Sequence, residues 1–203
     1  MDLAVALATF ALIIPVELPD KTFVATLVLA TRYRPLQAWI GVTLAFAVQS
    51  LVAVAFGDLI SALPDEPVTL AAAALFAAGG VILLRGASLV DADEAEEEFA
   101  GRVTAAKSGL RAVLSSFLVL FLAEWGDLSQ LLTVGLAARY HDPVAVFLGS
   151  WTALALVAGA AALLGRALLR RMRLSTIRRI GGWVCLVLAT LTALAAAGVD
   201  LPI

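Results

Sequence analysis

The stretch LIIPVELPDKTF, residues 12–23, places two prolines, two carboxylates and a lysine inside the otherwise apolar run of about residues 3–31. Proline removes a backbone donor, and a charge at the bilayer centre costs about 2.5–3.5 kcal/mol on insertion scales. The same insult occurs a second time. VELPDKT (16–22) matches AEWGDLS (123–129), and thirteen residues after each glutamate stand ATRY (30–33) and AARY (137–140). A proline follows each, Pro35 and Pro143, then Gly41 and Gly149, then Gly57 and Gly165, and a GG pair at 79–80 and 181–182. Alanine- and leucine-rich helices match one another by chance, but a charged motif with a fixed tyrosine offset does not. The chain therefore reads as two copies of one unit.

Composition sets the solvent. Of 203 residues, 62% are hydrophobic and 15% charged, with a mean hydropathy of +1.00. Soluble domains are about 45–50% apolar, and runs of about twenty apolar residues mark membrane spans. The expected fold is an all-α integral membrane protein. Its six transmembrane helices, at about 3–31, 36–62, 68–90, 109–138, 144–169 and 177–199, form two inverted three-helix repeats. Repeat one covers 1–90 and repeat two covers 109–203. Between them lies an acidic linker, 91–108, with six acids from Asp91 to Glu98. Its plain reading is a solvated tether. An odd number of spans per repeat makes the two copies cross the membrane in opposite directions, as in many secondary transporters.

Charge distribution gives an orientation. Of fourteen Lys and Arg residues, Lys21 falls inside a span and Arg139 stands alone on one side. The other twelve gather at the three opposite connections, which the positive-inside rule places in the cytoplasm. The linker is then cytoplasmic and both termini lie outside. The N-terminus MDLAVALATF lacks a basic n-region and a small-residue cleavage site, so it reads as the start of a retained span. The expected location is a prokaryotic plasma (inner) membrane.

Glu17 and Asp20 are three residues apart, as are Glu124 and Asp127, so on a continuous helix each pair shares a face. Four carboxylates at that depth need an interior cavity and a proton, a cation or one another. Thr22 and Ser129 add hydroxyls, Gln130 and Gln49 add amides, and Pro15 and Pro19 free backbone carbonyls, with Gly126 as the weak point of the second motif. This is an all-oxygen inventory. It suits hard divalent cations such as Mn²⁺ and Ca²⁺ rather than Cu⁺ or Zn²⁺. With one cysteine (Cys185) and one histidine (His141), soft-metal sites are not expected. An empty site should hold protons, with Lys21 as tether, so cation binding and proton release are coupled.

The bland readings are weighed alongside. Acids acting only as glue between helices suit one intramembrane carboxylate better than two matched pairs. Gln49, Thr43, Ser150 and Thr152 are first of all helix-packing groups. Asp58 is a solvated span end, and Trp39, Trp151 and Trp183 are packing or interfacial. Trp125 packs or lines the cavity. The arginines of 166–179 set topology.

At these motifs the sequence resembles uncharacterised protein family 0016, the transmembrane-protein-165 or Gdt-type cation/proton exchangers. Their signature, E-x-G-D-[KR]-[TS], occurs once in each of two inverted three-helix repeats. The resemblance covers essentially the whole chain. It implies export of Mn²⁺ or Ca²⁺ in exchange for protons, with Glu17, Asp20, Glu124 and Asp127 as ligands and Thr22 and Ser129 beside them. Two positions depart from the signature: Pro19 stands where the family has glycine, and Leu128 where it has Lys or Arg. Lys21 is then the only counter-charge to four acids.

The expected function is a secondary transporter, with Mn²⁺ ahead of Ca²⁺ as substrate and no cofactor. Expected partners are the cation, protons and the lipid bilayer, with homo-oligomerisation left open and no nucleic acid. A cation channel with a carboxylate ring and an exporter of a small organic solute such as an amino acid are the competing classes. An enzyme is not expected, for want of a nucleophile–base constellation or a phosphate-binding loop.

Overall fold

In a chain this apolar the usual helical pattern turns inside out: leucines face outward to lipid, while small and polar residues meet at helix contacts. The computed structural model describes residues 1–17, 21–60, 65–85, 108–171 and 174–197, and the described residues are helical with no strand. The helices are α1 (Leu3–Glu17), α2 (Lys21–Arg32), α3 (Pro35–Ile60), α4 (Asp65–Arg85), α5 (Leu110–Ala123), α6 (Leu128–Tyr140), α7 (Pro143–Arg171) and α8 (Leu174–Ala196). Along α5, Leu110, Leu114, Leu118 and Leu122 recur every fourth residue and are exposed. Meanwhile Thr9, Ser116, Ser150 and Thr192 are fully buried.

By length and apolarity α3 and α7 can each cross a membrane, and two further spans arise if α1 with α2 and α5 with α6 are each one bent span. The chain is thus an all-helical membrane protein with two to four candidate spans among the described residues. Shorter apolar helices, Ala73–Ile82 and Cys185–Leu194, lie within α4 and α8. The linker 91–108, apart from Ser108, lies outside the described residues.

The expected interruptions of the two motif spans are sharp ones. Residues 3–31 and 109–138 are not continuous helices: each is two helices turned by 75° from one another, with the turn at the acidic motif. The reason is local chemistry. In the second motif Gly126 takes φ 78°, a left-handed conformation that β-carbon sterics make costly for other residues.

The helices exchange partners across the molecule. α3 packs on α5 and α6, α7 packs on α1 and α2, α3 and α7 pack on each other, and α4 pairs with α8. The contacts come in matched pairs. A β-carbon on Gly41 would stand 2.8 Å from Ser116 Cβ, and one on Gly149 would stand 2.8 Å from Thr9 Cβ. Ser116 follows Thr9 by the same 107 residues that separate Glu124 from Glu17. Likewise Gly80 abuts Leu186 and Gly182 abuts Leu84, at 2.8 and 2.6 Å from a built β-carbon to Cγ. Only hydrogen in place of a side chain permits these crossings.

The two tryptophans at the α3–α7 crossing are packing residues that also satisfy carbonyls. Trp39 donates to the Ala155 carbonyl at 2.9 Å, and Trp151 to the Thr43 carbonyl at 3.1 Å. Ser150 and Thr152 turn their hydroxyls back onto their own helix, at Phe147 and Leu148. Asp58 is exposed near the end of α3.

Candidate functional site

The second motif shows how the break is made. α5 ends with Glu124 as its C-cap, at φ −102° and ψ 14°, its N–H bonded to the Leu120 carbonyl. Asp127 then adopts extended backbone as the N-cap of α6, and its carboxylate accepts the Ser129 N–H at 3.4 Å. Between them the Asp127 N–H reaches back to the Glu124 carbonyl at 3.3 Å. Glu124 and Asp127 therefore do not share the face of one helix, as spacing alone suggests. They terminate two different helices, and Asp127 is committed to capping one of them.

This geometry suits a cation. The C-terminal end of α5 carries the negative end of its backbone dipole, with carbonyls that no further turn can satisfy. Glu124 sits on that end and is buried, 3% exposed. Glu17 is the last residue of α1 and is 1% exposed. On the following helices Thr26 donates to the Thr22 carbonyl at 2.9 Å, and Thr133 to the Ser129 carbonyl at 2.8 Å. The two motif helices thus repeat this threonine-to-carbonyl bond at positions 107 residues apart.

A small polar pocket of about 10 Å³ opens beside Glu124, lined by Gln49, Ser50, Ser129, Gln130 and Thr133, with Phe46 and Leu154 as its apolar walls. That is about the room of one water molecule. Gln130 braces the break: its Oε1 accepts the Gly126 N–H at 2.7 Å and its Nε2 approaches the Gln49 carbonyl at 3.5 Å. Gln49 in turn donates to the Phe121 carbonyl at 3.2 Å, tying α3 to the last turn of α5.

Of the residues singled out from sequence, the structure brings together Glu124, Ser129, Gln130 and Gln49. Thr22 is buried, and its hydroxyl makes no hydrogen bond. Asp20, Pro19 and the side chain of Lys21 lie outside the described residues. Among the described residues no three carboxylate, imidazole or thiol groups are gathered within reach of one metal ion. Oxygen donors here are mostly neutral. Ser50 and Thr133 were not singled out in the sequence. Thr133 carries a legible signal, since it repeats Thr26 at the motif offset, whereas Ser50 carries only its place next to Gln49.

The comparisons with known proteins bear on the whole chain. Residues 5–91 and 112–200 match the family model described as divalent cation/proton antiporter GDT1. The chain belongs to the GDT1 family. It is similar to the GDT1-like protein sll0615 of Synechocystis, at 31% identity over 82% of this chain and 85% of that protein. It is also similar to GDT1-like protein 4 of Oryza sativa subsp. indica, at 28% identity over 86% of this chain and 68% of that one. Protein PAM71, chloroplastic, of Arabidopsis thaliana is 29% identical over 91% of this chain and 55% of its own length. No solved structure matches. The GDT1 family is one of transporters and not of enzymes, which is the class that the two breaks and their buried acids suggest.

Proposed function

We propose that this GDT1-family protein exchanges a divalent cation, Mn²⁺ first and Ca²⁺ next, for protons. The observation that carries the reading is the pairing of two buried glutamates, Glu17 and Glu124, each at the C-terminal end of a helix and each at a 75° break. A carboxylate withdrawn from water must be neutralised by a proton or a cation. The same oxygens cannot serve both at once, so loading one ligand expels the other. That exclusion is the chemical core of antiport.

The ligand set in this reading is Glu17, Asp20, Glu124 and Asp127, with hydroxyls from Thr22 and Ser129, and Lys21 as counter-charge when the cation is absent. The oxygen-only inventory supports a hard cation. The architecture in this reading is six spans in two inverted three-helix repeats, with residues 1–90 and 109–203 as the units. The matched contacts of Gly41 with Ser116 and Gly149 with Thr9 support it. The positive-inside rule supports a cytoplasmic linker and external termini, and hence export.

The test is titration of the purified protein with Mn²⁺, Ca²⁺ and Mg²⁺ at two pH values. Binding must weaken at the lower pH, and equal affinity at both would sink proton exchange. In vesicles, Glu17→Gln and Asp127→Asn should each abolish proton-coupled cation transport while the protein still inserts. A channel would conduct without a proton gradient.

A further inference from the structure

The two motif regions look equivalent in the acids and hydroxyls, yet their surroundings differ in polarity. The motif helices correspond at an offset of 107 residues, Glu17 to Glu124, and α3 corresponds to α7 at 108, Gly41 to Gly149. In that register Gln130 corresponds to Phe23, Gln49 to Val157 and Ser50 to Ala158. On the second-motif side these positions line the polar pocket beside Glu124. On the first-motif side Phe23 and Val157 close, with Ala161, into a small apolar cluster against Ile14. Among the described residues the three places are polar beside Glu124 and apolar at their counterparts Phe23, Val157 and Ala158.

Ser50 is the group that points to a ligand. It is 3% exposed, lines the pocket, and its hydroxyl makes no hydrogen bond. A buried hydroxyl without a partner costs about 1–3 kcal/mol. Gln49 beside it spends its Nε2 on the Phe121 carbonyl, so the polar atom left to it is Oε1, an acceptor. Gln130 is committed to bracing the Gly126 N–H, a role its counterpart in the first motif does not need, since Pro19 has no N–H.

We propose that the cation is held asymmetrically, in the pocket on the second-motif side, with the Ser50 hydroxyl and the Gln49 amide oxygen of α3 joining Glu124 and Ser129 as direct ligands. Gln130 is a positioning residue that fixes the break. This deepens the divalent-cation reading given above and rests on it. The site takes a hard cation that has shed most of its water, because the space is that of about one water molecule. Neutral oxygens from α3 add to the one carboxylate, Glu124, that lines the pocket.

The experiment uses the full chain in nanodiscs, titrated with Mn²⁺ and followed by loss of the free-ion paramagnetic signal. Ser50→Ala removes one oxygen and no hydrogen bond, and should weaken binding at least roughly tenfold, the lower end of the effect of losing a group that supports a metal. Ala158→Ser, at the corresponding apolar place, should leave the affinity within about twofold of wild type, judged as much less than a decade. Ser50→Cys gives a readout that a packing role would not move: Cd²⁺ should bind more tightly and show a sulfur-to-metal charge-transfer absorption absent from the parent, whose Cys185 lies in α8. Unchanged Mn²⁺ affinity in Ser50→Ala, an equal loss in Ala158→Ser, or no Cd²⁺–thiolate band in Ser50→Cys would each overturn the asymmetric site. Failure of the wild-type protein to bind any divalent cation would instead overturn the reading beneath it.

Discussion

The Oε1 of Gln130 accepts the backbone N–H of Gly126 at 2.7 Å, bridging the break between α5 and α6 from one turn into the second helix. The break is therefore a braced corner rather than a loose joint. Its counterpart in the first motif pairs a proline with a phenylalanine, Pro19 and Phe23, so donor and acceptor are absent together.

Gln130→Leu should remove the bond to the exposed Gly126 N–H and lower stability by about 0.5–1.5 kcal/mol. Gln130→Glu, which keeps an acceptor, should recover most of that loss. Thermal unfolding of the purified variants in detergent measures both, and equal stability of Gln130→Leu and wild type would remove the brace from the account.

Gly41→Ala and Gly149→Ala should destabilise alike, because each new β-carbon would press on a facing helix backbone and stand 2.8 Å from a side-chain carbon. Overpacking of this kind costs about 1–3 kcal/mol. Gly159→Ala is the contrast: its nearest neighbour would be Trp39 Nε1 at 3.3 Å. Its effect should be the smallest of the three in the same unfolding assay.

His141 sits at φ 52° as the C-cap of α6, the one described non-glycine residue in the left-handed region. His141→Gly should raise stability by up to about 1 kcal/mol, whereas a β-branched His141→Val should lower it by about 1–2 kcal/mol. The ordering Gly, His, Val in midpoint temperature is the result that checks this.

The Asp142 carboxyl is held below the usual carboxylate range, first by the backbone N–H of Asp2 at 2.6 Å and then by that of Ala145 at 3.1 Å. A lowered folded-state pKa contributes stability above the unfolded value, about 3.9 for Asp. That contribution is lost as pH falls through the folded value. Between pH 5 and 3 the wild type should lose stability more steeply than Asp142→Asn, and parallel curves would contradict the assignment.

Much of the fold was legible because its signals are local. Runs of apolar residues, and the Pro and Gly punctuation at 35, 41, 143 and 149, announced helices, and the doubled acidic motif announced where two of them break. The element ends observed at Pro35, Ile60, Pro143 and Arg171 fall within two residues of those expected. The motif spacing misled at one point. Three residues place Glu124 and Asp127 on one face only if the helix runs on, and a left-handed Gly126 stops it.

What the sequence determined by itself is the solvent, the class and the acids: a lipid-facing helical chain, twice interrupted, with glutamates at the interruptions. Only the tertiary structure decided what surrounds those glutamates. Gln49 meets Phe121 across 72 residues and Gln130 meets Gln49 across 81. No periodicity encodes such contacts, because they depend on α3 crossing the broken helix α5 through the gap that Gly41 leaves. That crossing brings Gln49 and Ser50 to the second motif.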